Sequence, residues 1–174
     1  MAKVQQSSLK SLPLYSAKHK AASQQDMNPT EVADCLPRLV LDTNATLDWL
    51  VFGDPGMAAL AVAIEGAELC WLVSPRMRDE LSRTLNYPSL AQWKPDSERV
   101  LCHFDRWSRV CPEPVTPLAS ALICSDPDDQ VFIDLALVEG ARWLVTHDRA
   151  LHKLTRQVAP RGLRIVRPKD WRWQ

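Results

Sequence analysis

The 174-residue sequence predicts an α/β fold, a three-layer α/β/α sandwich with a mostly parallel central sheet. Short apolar runs, typical of buried strands, alternate along the chain with segments whose apolar residues recur at helical spacing. Strands that are separated by helices are joined by right-handed crossovers, which make the strands parallel and cover both faces of the sheet. The length and the 46% hydrophobic content suit one domain with a substantial core.

The domain is predicted to span residues 38–170, after an N-terminal extension of residues 1–37 that is rich in Ser, Gln, Lys and Ala. No apolar run resembles a secretory signal, and no segment approaches the roughly 18 to 20 apolar residues of a membrane-spanning helix. The cysteines are odd in number and form no C-x-x-C pair, which argues against a disulfide framework or a zinc site. We therefore expect a soluble, cytoplasmic protein without a membrane partner.

The first half of the domain contains two predicted strands and three predicted helices. The strands are RLVLD (38–42) and ELCWLVS (68–74), and the first two helices are ATLDWLVF (45–52) and GMAALAVAIEG (56–66), the second ending at Gly66. SPRMRDELSRTLN (74–86) predicts the third helix, because Ser74 can cap it and Pro75 suits its first position.

The second half is predicted to continue the alternation. One or more helices and a closing strand are expected in SLAQWKPDSERVLCHFDRWSRVC (89–111). SDPDDQVFIDLALVEGA (125–141) predicts a helix with Ser125 or Asp126 as its cap, Pro127 near its first position and Gly140 at its end. The strand RWLVTHD (142–148), the short helix DRALHKL (148–154) and the strand LRIVR (163–167) complete the domain.

Four carboxylates occupy positions from which they could share one site. Asp42 and Asp148 end predicted strands, and functional sites of parallel sheets gather at the carboxyl ends of the strands. Asp129 lies in the predicted first turn of the helix before the strand of Asp148, and Glu80 borders the apolar stripe of the 74–86 helix.

Each carboxylate also has a simpler interpretation. Asp42, with the Thr and Asn that follow it, could only punctuate a strand-to-helix turn, and Asp148 could only cap the next helix. Asp129 could act through the helix dipole, and Glu80 could be a solvated residue. The combination of all four favours a common site more than any one of them does.

Converging carboxylates repel one another, so either their pKa values rise or a cation neutralises them. Oxygen ligands favour Mg²⁺ or Mn²⁺, and such an ion can activate water and stabilise negative charge on a phosphoryl group. The chemistry that this pattern indicates is hydrolysis of a phosphodiester.

Four segments together resemble the ordered motifs of a PIN domain: LDTN (41–44), DELSRTLNYP (79–88), DPDDQVFIDLAL (126–137) and LVTHDRAL (144–151). They are similar in particular to the toxin-component, VapC-like branch of that family, whose third motif reads like DPxDxxFxxxA. The resemblance covers the chain from about Arg38 to Pro168. Each motif alone is weak, and the ordered set is fairly specific.

The resemblance implies an α/β/α fold and a Mg²⁺- or Mn²⁺-dependent ribonuclease, often dimeric and often the toxin partner of an antitoxin protein. Carried over by position, the metal-holding catalytic quartet would be Asp42, Glu80, Asp129 and Asp148. The accessory polar residues would be Asn44, Asp126 and Thr146. The sequence departs from the family at His147, where a small residue is common, and at Gln130, where another acid or an amide is common.

Charge gives weaker information about the substrate. Lys and Arg together equal Asp and Glu at 21 each, but basic residues far outnumber acids from Arg142 onward. This end is either a solvated surface or a patch that attracts a phosphate backbone, with Arg149 and Lys153 as the candidate RNA-binding residues.

Two other functions fit parts of the pattern. A phosphotransfer protein of the receiver or haloacid-dehalogenase type also places an Asp after a parallel strand, but it needs a second acid beside that Asp and a later lysine. Position 44 is Asn, and no such lysine is present. The other alternative is a non-catalytic module with the same fold that binds RNA or protein.

Overall fold

The structure is a computed structural model, and it describes residues 36–114 and 122–173. A five-stranded sheet forms its centre, and all of the strand pairings are parallel. In chain order the strands are β1 (Arg38–Leu41), β2 (Cys70–Val73), β3 (Ser108–Val110), β4 (Trp143–Val145) and β5 (Arg164–Val166). The predicted α/β fold is confirmed, whereas residues 1–35 of the predicted extension lie outside the described residues.

Helices connect the strands and flank the sheet. The α-helices are α1 (Thr43–Leu47), α2 (Ala58–Glu65), α3 (Pro75–Thr84), α4 (Ser97–Trp107), α5 (Gln130–Val138), α6 (Arg149–His152) and α7 (Thr155–Val158). A π-helix over Asp48–Phe52 continues α1, and 3₁₀ helices cover Pro55–Met57, Pro88–Trp93, Ala159–Arg161 and Pro168–Asp170.

The strand order β3-β2-β1-β4-β5 places a topological switch point between β1 and β4. The chain moves outward from β1 to β3, then crosses to the other side of β1 and continues outward to β5. Leu41 is in register with Val145 across this junction, so Asp42 and Thr146 follow side by side. A crevice at the carboxyl ends of the strands is expected at such a point, because the crossovers leave in opposite directions.

The core is built on β2 and β4, which are fully buried, and on β1, which is buried apart from its first residue, Arg38. Trp71 of β2 is 1% exposed and contacts Phe104 of α4 edge to face, with ring centroids 4.9 Å apart. Trp143 of β4 packs against Trp171 at 5.9 Å, so the chain beyond β5 also covers the sheet. Large aromatic side chains therefore hold the helices and the terminal segment against the strands that lead to the crevice.

Local sequence signals set several helix ends as predicted. The Ser74 hydroxyl accepts a hydrogen bond from the Met77 amide at 3.4 Å, and Pro75 occupies the first position of α3. Gly66 ends α2 as its C-cap. The predicted strand after α4 is also present as β3.

The predicted helix start near Pro127 is wrong, because α5 begins only at Gln130. The Asp126 carboxylate accepts a hydrogen bond from the Asp128 amide at 3.0 Å, and the Gln130 amide donates to the Pro127 carbonyl at 3.3 Å. These local bonds form a turn that competes with the helix, as short Asp side chains commonly do. Asp129 is therefore the residue before the helix and is not part of its first turn.

Two other helices differ from expectation. The segment 45–52 was predicted as one α-helix, but it starts at Thr43 and changes to a π-helix at Asp48. The short helix α7 at Thr155–Val158 was not predicted. It is one turn long, which is too short to show a helical period.

In the described ranges no single helix is long and apolar enough to cross a membrane. The helices Thr43–Phe52 and Pro55–Glu65 meet the length and composition test only when they are taken together, and they are bent by 109° at the break between them. In the described ranges Cys102, Cys111 and Cys124 are free thiols.

Phe104→Ala is expected to lower the free energy of unfolding by about 3–5 kcal/mol, because it opens a cavity against Trp71. Urea denaturation followed by tryptophan fluorescence measures this change. Cys102→Ala is the matched control: Cys102 is exposed on the same helix, so its removal should change stability by less than about 0.5 kcal/mol. Similar losses in both variants would contradict the assignment of Phe104 to the core.

Candidate active site

Asp42 lies directly after β1, and its carboxylate is almost fully buried, with 3% exposure. One oxygen accepts a hydrogen bond from the Ala45 amide at 2.6 Å and so caps α1. The other accepts a hydrogen bond from the Thr146 hydroxyl at 2.5 Å. Asp42 therefore does serve as the strand-to-helix cap of the simpler interpretation, and it also faces the neighbouring strand end.

Thr146 joins the ends of β1 and β4. Its fully buried hydroxyl donates to Asp42 and accepts a hydrogen bond from the Asp148 amide at 2.8 Å. A single hydroxyl thus sets the position of one predicted site residue and the backbone of another. The sequence placed Thr146 among the accessory residues, and the structure gives it this positioning contact.

Asp148 is half-buried and follows β4. Its carboxylate accepts hydrogen bonds from the Ala150 amide and, at 3.3 Å, from the Leu151 amide, so it caps α6. Its negative charge also helps to raise the pKa of Asp129. As with Asp42, the capping role and the place in the acidic group are both present.

Asp129 is the residue before α5, and its side chain makes no capping hydrogen bond to that helix. Burial, followed by the negative charges of Asp148, Asp126 and Asp42, raises the pKa of Asp129 to about 7. A carboxyl group titrating near neutrality indicates negative charge that the surrounding protein does not neutralise.

Burial also raises the pKa of Asp42, to about 6. The hydrogen bonds from Thr146 and Ala45 and the nearby His147 oppose this rise, whereas Asp48 adds to it. Two carboxyl groups of the predicted quartet thus have pKa values well above the ordinary one. Because perturbed carboxylates cluster at functional sites, these two groups are the strongest electrostatic signal at the crevice.

Glu80 reaches the same crevice from α3. Its carboxylate accepts a hydrogen bond from the Thr43 hydroxyl at 2.7 Å. Glu80, Asp42, Asp129 and the exposed Asn44 line one cleft of about 390 Å³, here called the acidic cleft. Its remaining walls are Thr43, Leu47, Phe52, Thr84, Tyr87, Ser89, Leu90 and Phe132.

The other predicted residues lie at the margin. Asp126 is exposed, holds the turn before α5 and acts on Asp129 through its charge. Arg149 and Lys153 are exposed on and just after α6, which begins beside Asp148. The structure thus brings the quartet to one edge of the sheet and places the candidate RNA-binding cations beside it.

Gln130, one of the departures from the family pattern, has a clear structural role. Its side-chain carbonyl accepts from the Cys124 amide at 2.8 Å, and its amide group donates to the Leu122 carbonyl at 3.2 Å and to Asp134 at 2.8 Å. Only a side chain with both a donor and an acceptor can make this set of bonds. It ties the segment 122–124 to α5.

The sequence did not predict the bond of Thr43 to Glu80, nor a contact between Asp48 and His147 at the same edge of the sheet. Thr43 could have been found, because it stands between Asp42 and Asn44 at the strand end. Asp48 and His147, the other departure, pair at 2.7 Å between the carboxylate and Nε2. These two are 99 residues apart in sequence, and no local pattern signals their contact.

The donor set suits a hard divalent cation, because the crevice offers carboxylate and hydroxyl oxygens and its carboxyl pKa values are raised. Within residues 36–114 and 122–173, however, no three Asp, Glu, His or Cys side chains are grouped so as to hold a metal ion. Asp42 and Asp148 direct oxygens to backbone and hydroxyl donors instead. The chemistry of these residues fits such an ion.

Thr146→Val is expected to raise the pKa of Asp42 above its value of about 6, because it removes a hydrogen bond that favours the ionised form. It should also cost roughly 1–3 kcal/mol of stability by leaving a buried acceptor without its donor. Carboxyl-carbon NMR titration measures the pKa value. Thr146→Ser keeps the hydroxyl and is the control; identical titration of Asp42 in the Val and Ser variants would rule out the bridge.

The chain was compared with known protein families, curated proteins and solved structures. The family model of the PIN domain matches residues 38–150. Among solved structures, the chain is similar to VapBC2 from Rickettsia felis bound to a DNA fragment from their promoter, at 17% identity and a TM-score of 0.49, covering 74% of this chain and 96% of that one. No curated protein gives a significant match. The family match spans well over half of the chain and includes all four carboxylates of the quartet, so the protein belongs to the PIN domain family.

Proposed function

We propose that the protein is a Mg²⁺- or Mn²⁺-dependent endoribonuclease that hydrolyses phosphodiester bonds of single-stranded RNA. The observation that carries this proposal is the meeting of Asp42, Asp129 and Asp148 at the switch point, where the pKa values of Asp42 and Asp129 are raised. A divalent cation is the partner that such a group is suited to accept. Membership of the PIN family supports the same conclusion.

Asp42, Glu80, Asp129 and Asp148 would hold the ion, which when bound would supply charge neutralisation and Lewis acidity at the phosphate. The chain would contribute the alignment of the attacking water. Asp42 and Asp129 are placed to accept hydrogen bonds from that water, because both line the cleft and both are held by fixed secondary structure. Asn44 is exposed at the mouth and can donate to a phosphate oxygen.

Well above pH 7 both carboxyl groups would be ionised even without a metal ion, so bound protons would no longer compete with metal binding. Between about pH 6 and 7 they carry protons in turn, and a cation must displace them. Activity should therefore rise with pH across this interval.

Several properties belong to the same proposal. As a toxin of a toxin–antitoxin pair, the protein would bind an antitoxin protein, form a homodimer and act in the cytoplasm. The solved VapBC2 structure concerns a different protein with low identity, so these partners rest on the motif resemblance.

A non-catalytic RNA- or protein-binding module is the second candidate. One observation favours it: in the described part of the chain the acids are not grouped as a ready metal site. The raised pKa of Asp129 weighs against it, because a binding scaffold gains nothing from destabilising a carboxylate.

Asp129→Asn is expected to lower the rate of metal-dependent cleavage roughly 100-fold or more, because it removes a charge that the transition state requires. The measurement is cleavage of a mixed-sequence single-stranded RNA with Mn²⁺ and with EDTA, using identically purified proteins. Asp128→Asn is the matched control, since Asp128 is the adjacent acid but is exposed and outside the cleft.

Cleavage by the wild type and the Asp128 variant that is absent from the Asp129 variant would support the nuclease. Equal cleavage by all three would point to contaminating ribonuclease. No cleavage by any of them, with saturable RNA binding retained, would favour the binding module.

Replacing Arg149 and Lys153 together with Ala is expected to weaken RNA binding in a salt-dependent way, because each cation that contacts a phosphate releases counterions. The slope of log affinity against log salt should fall by about 0.7 per lost phosphate contact. Arg161 and Lys169, also exposed, form a charge-matched control pair. Unchanged binding at low salt, or an equal loss in the control pair, would remove this surface from the RNA site.

A further inference from the structure

A second cavity, which none of the quartet carboxylates lines, lies beside the acidic cleft. It has a volume of about 460 Å³ and is here called the aromatic cavity. Its walls come from the π-helix, from the end of α2 and from the stretch that runs from the 3₁₀ helix at Pro88–Trp93 into α4. The residues that matter most below are Trp49, Trp93, Lys94, Asp96 and Arg99.

Two indole rings give the cavity its character. Trp49 is half-buried and packs against Trp71 with centroids 5.5 Å apart, so the core supports it from behind. Trp93 contacts Phe52 at 4.9 Å but remains 53% exposed. A large aromatic side chain that is braced on one side and open to solvent on the other is suited to receive a flat, apolar ligand face.

Two cations on the cavity wall are suited to contact an anion, although two acids also line the cavity. Lys94 and Arg99 have exposed side chains with no ion-pair partner in the described ranges. Asp96 also lines the cavity, but its carboxylate accepts the Arg99 amide at 3.0 Å as the cap of α4. The remaining acid, Glu65, is exposed to water, which screens its repulsion of an anion.

The backbone holds Lys94 in an unusual conformation. Its φ of 44° lies in the left-handed region, which side chains other than glycine rarely adopt. The residue ends the 3₁₀ helix there, and its amide bonds to the Ala91 carbonyl at 3.2 Å. Glycine would fit that position with less strain, so this conformation carries a local cost.

The aromatic cavity and the acidic cleft share a wall. Phe52 lines the acidic cleft and contacts Trp93, which lines the aromatic cavity. Leu90 of the same 3₁₀ helix as Trp93 also lines the acidic cleft. The π-helix supplies residues to both spaces, so one extended ligand could pass from one to the other over Phe52.

We propose that the aromatic cavity binds an unpaired nucleobase of the RNA strand, a few nucleotides from the phosphate held at the acidic cleft. The base would stack on Trp93, with Trp49 as the second wall, and Lys94 and Arg99 would contact its phosphates. This pairing of aromatic rings with cations is how proteins hold single strands with little base preference. The inference rests on the proposed RNA substrate and adds a stacking subsite that selects unpaired strands.

The test measures affinity alone. Fluorescence anisotropy with a ten-nucleotide single-stranded RNA, in EDTA, compares the full-length Asp129→Asn protein with the same protein carrying Trp93→Ala. Binding should weaken about ten-fold, the size of one base stack. Trp173→Ala is the matched control, because Trp173 is 52% exposed but lines neither cavity, and it should bind as the parent does.

A strand with one abasic nucleotide moved along its length distinguishes stacking from a general loss of structure. The affinity of the parent should fall about ten-fold when the abasic nucleotide is at one position of the strand. The affinity of the Trp93 variant should not fall further at that position. Equal affinity of the parent and the Trp93 variant would overturn the proposal and leave the cavity to a protein partner. The proposal would also be overturned if Trp93→Ala did not change how the affinity depends on the position of the abasic nucleotide.

The outcome is separable from that of the nuclease proposal. One outcome is that the wild-type protein fails to cleave RNA while Trp93→Ala and the abasic nucleotide cause the same, non-additive loss of RNA affinity. In that case the cavity inference stands and the catalytic one falls. If cleavage depends on Asp129 while Trp93→Ala binds RNA like its parent, only the cavity inference falls. Far-ultraviolet circular dichroism and thermal melting check that each variant is folded.

Discussion

The hydrogen-bonded bridge made by Thr146 between β1 and β4 is the contact on which the arrangement of the crevice depends. One hydroxyl, completely shielded from water, donates to the Asp42 carboxylate and accepts from the Asp148 amide. Parallel strands bring their ends to a common edge, but they do not by themselves determine which way a side chain at that edge points. The bridge does so for Asp42, and it also sets where the chain turns into α6.

The acidic group gains its properties from being held in this way. Burial destabilises the ionised form of a carboxyl group that has too few hydrogen-bond donors. The raised pKa values of Asp42 and Asp129 are consistent with negative charge at the site that is only partly neutralised. Helix capping by Asp42 and Asp148 recovers part of that cost through backbone amides. These two side chains thus cap helices, as the simpler interpretation of each expects, and lie at the carboxyl ends of neighbouring strands.

The parts of the fold that could be predicted from sequence are those set by neighbours along the chain. β1, β4 and α3 each carry a local signal: an uninterrupted apolar run in the strands, and Ser74 with Pro75 at the helix start. The start of α5 was misplaced because Asp126 can either cap a helix or close a turn, and only the Gln130 contacts with segment 122–124 decide between the two. The pairing of Asp48 with His147 depends on the strand order, which no local pattern contains. The quartet positions came from the resemblance of the motifs, whereas the Thr43 bond to Glu80 and the effect of Asp148 on the pKa of Asp129 required the assembled sheet.

The tryptophan cluster at the end of the described chain gives that segment a direct part in the crevice. Trp171 and Trp173 pack against Trp143, the first residue of β4, at centroid distances of 5.9 and 6.1 Å. Trp171 is buried, whereas Trp173 keeps half of its surface in water. The segment after β5 therefore clamps the strand whose far end carries Thr146 and Asp148. This packing covers the first residue of β4, and Thr146 directly follows the last one.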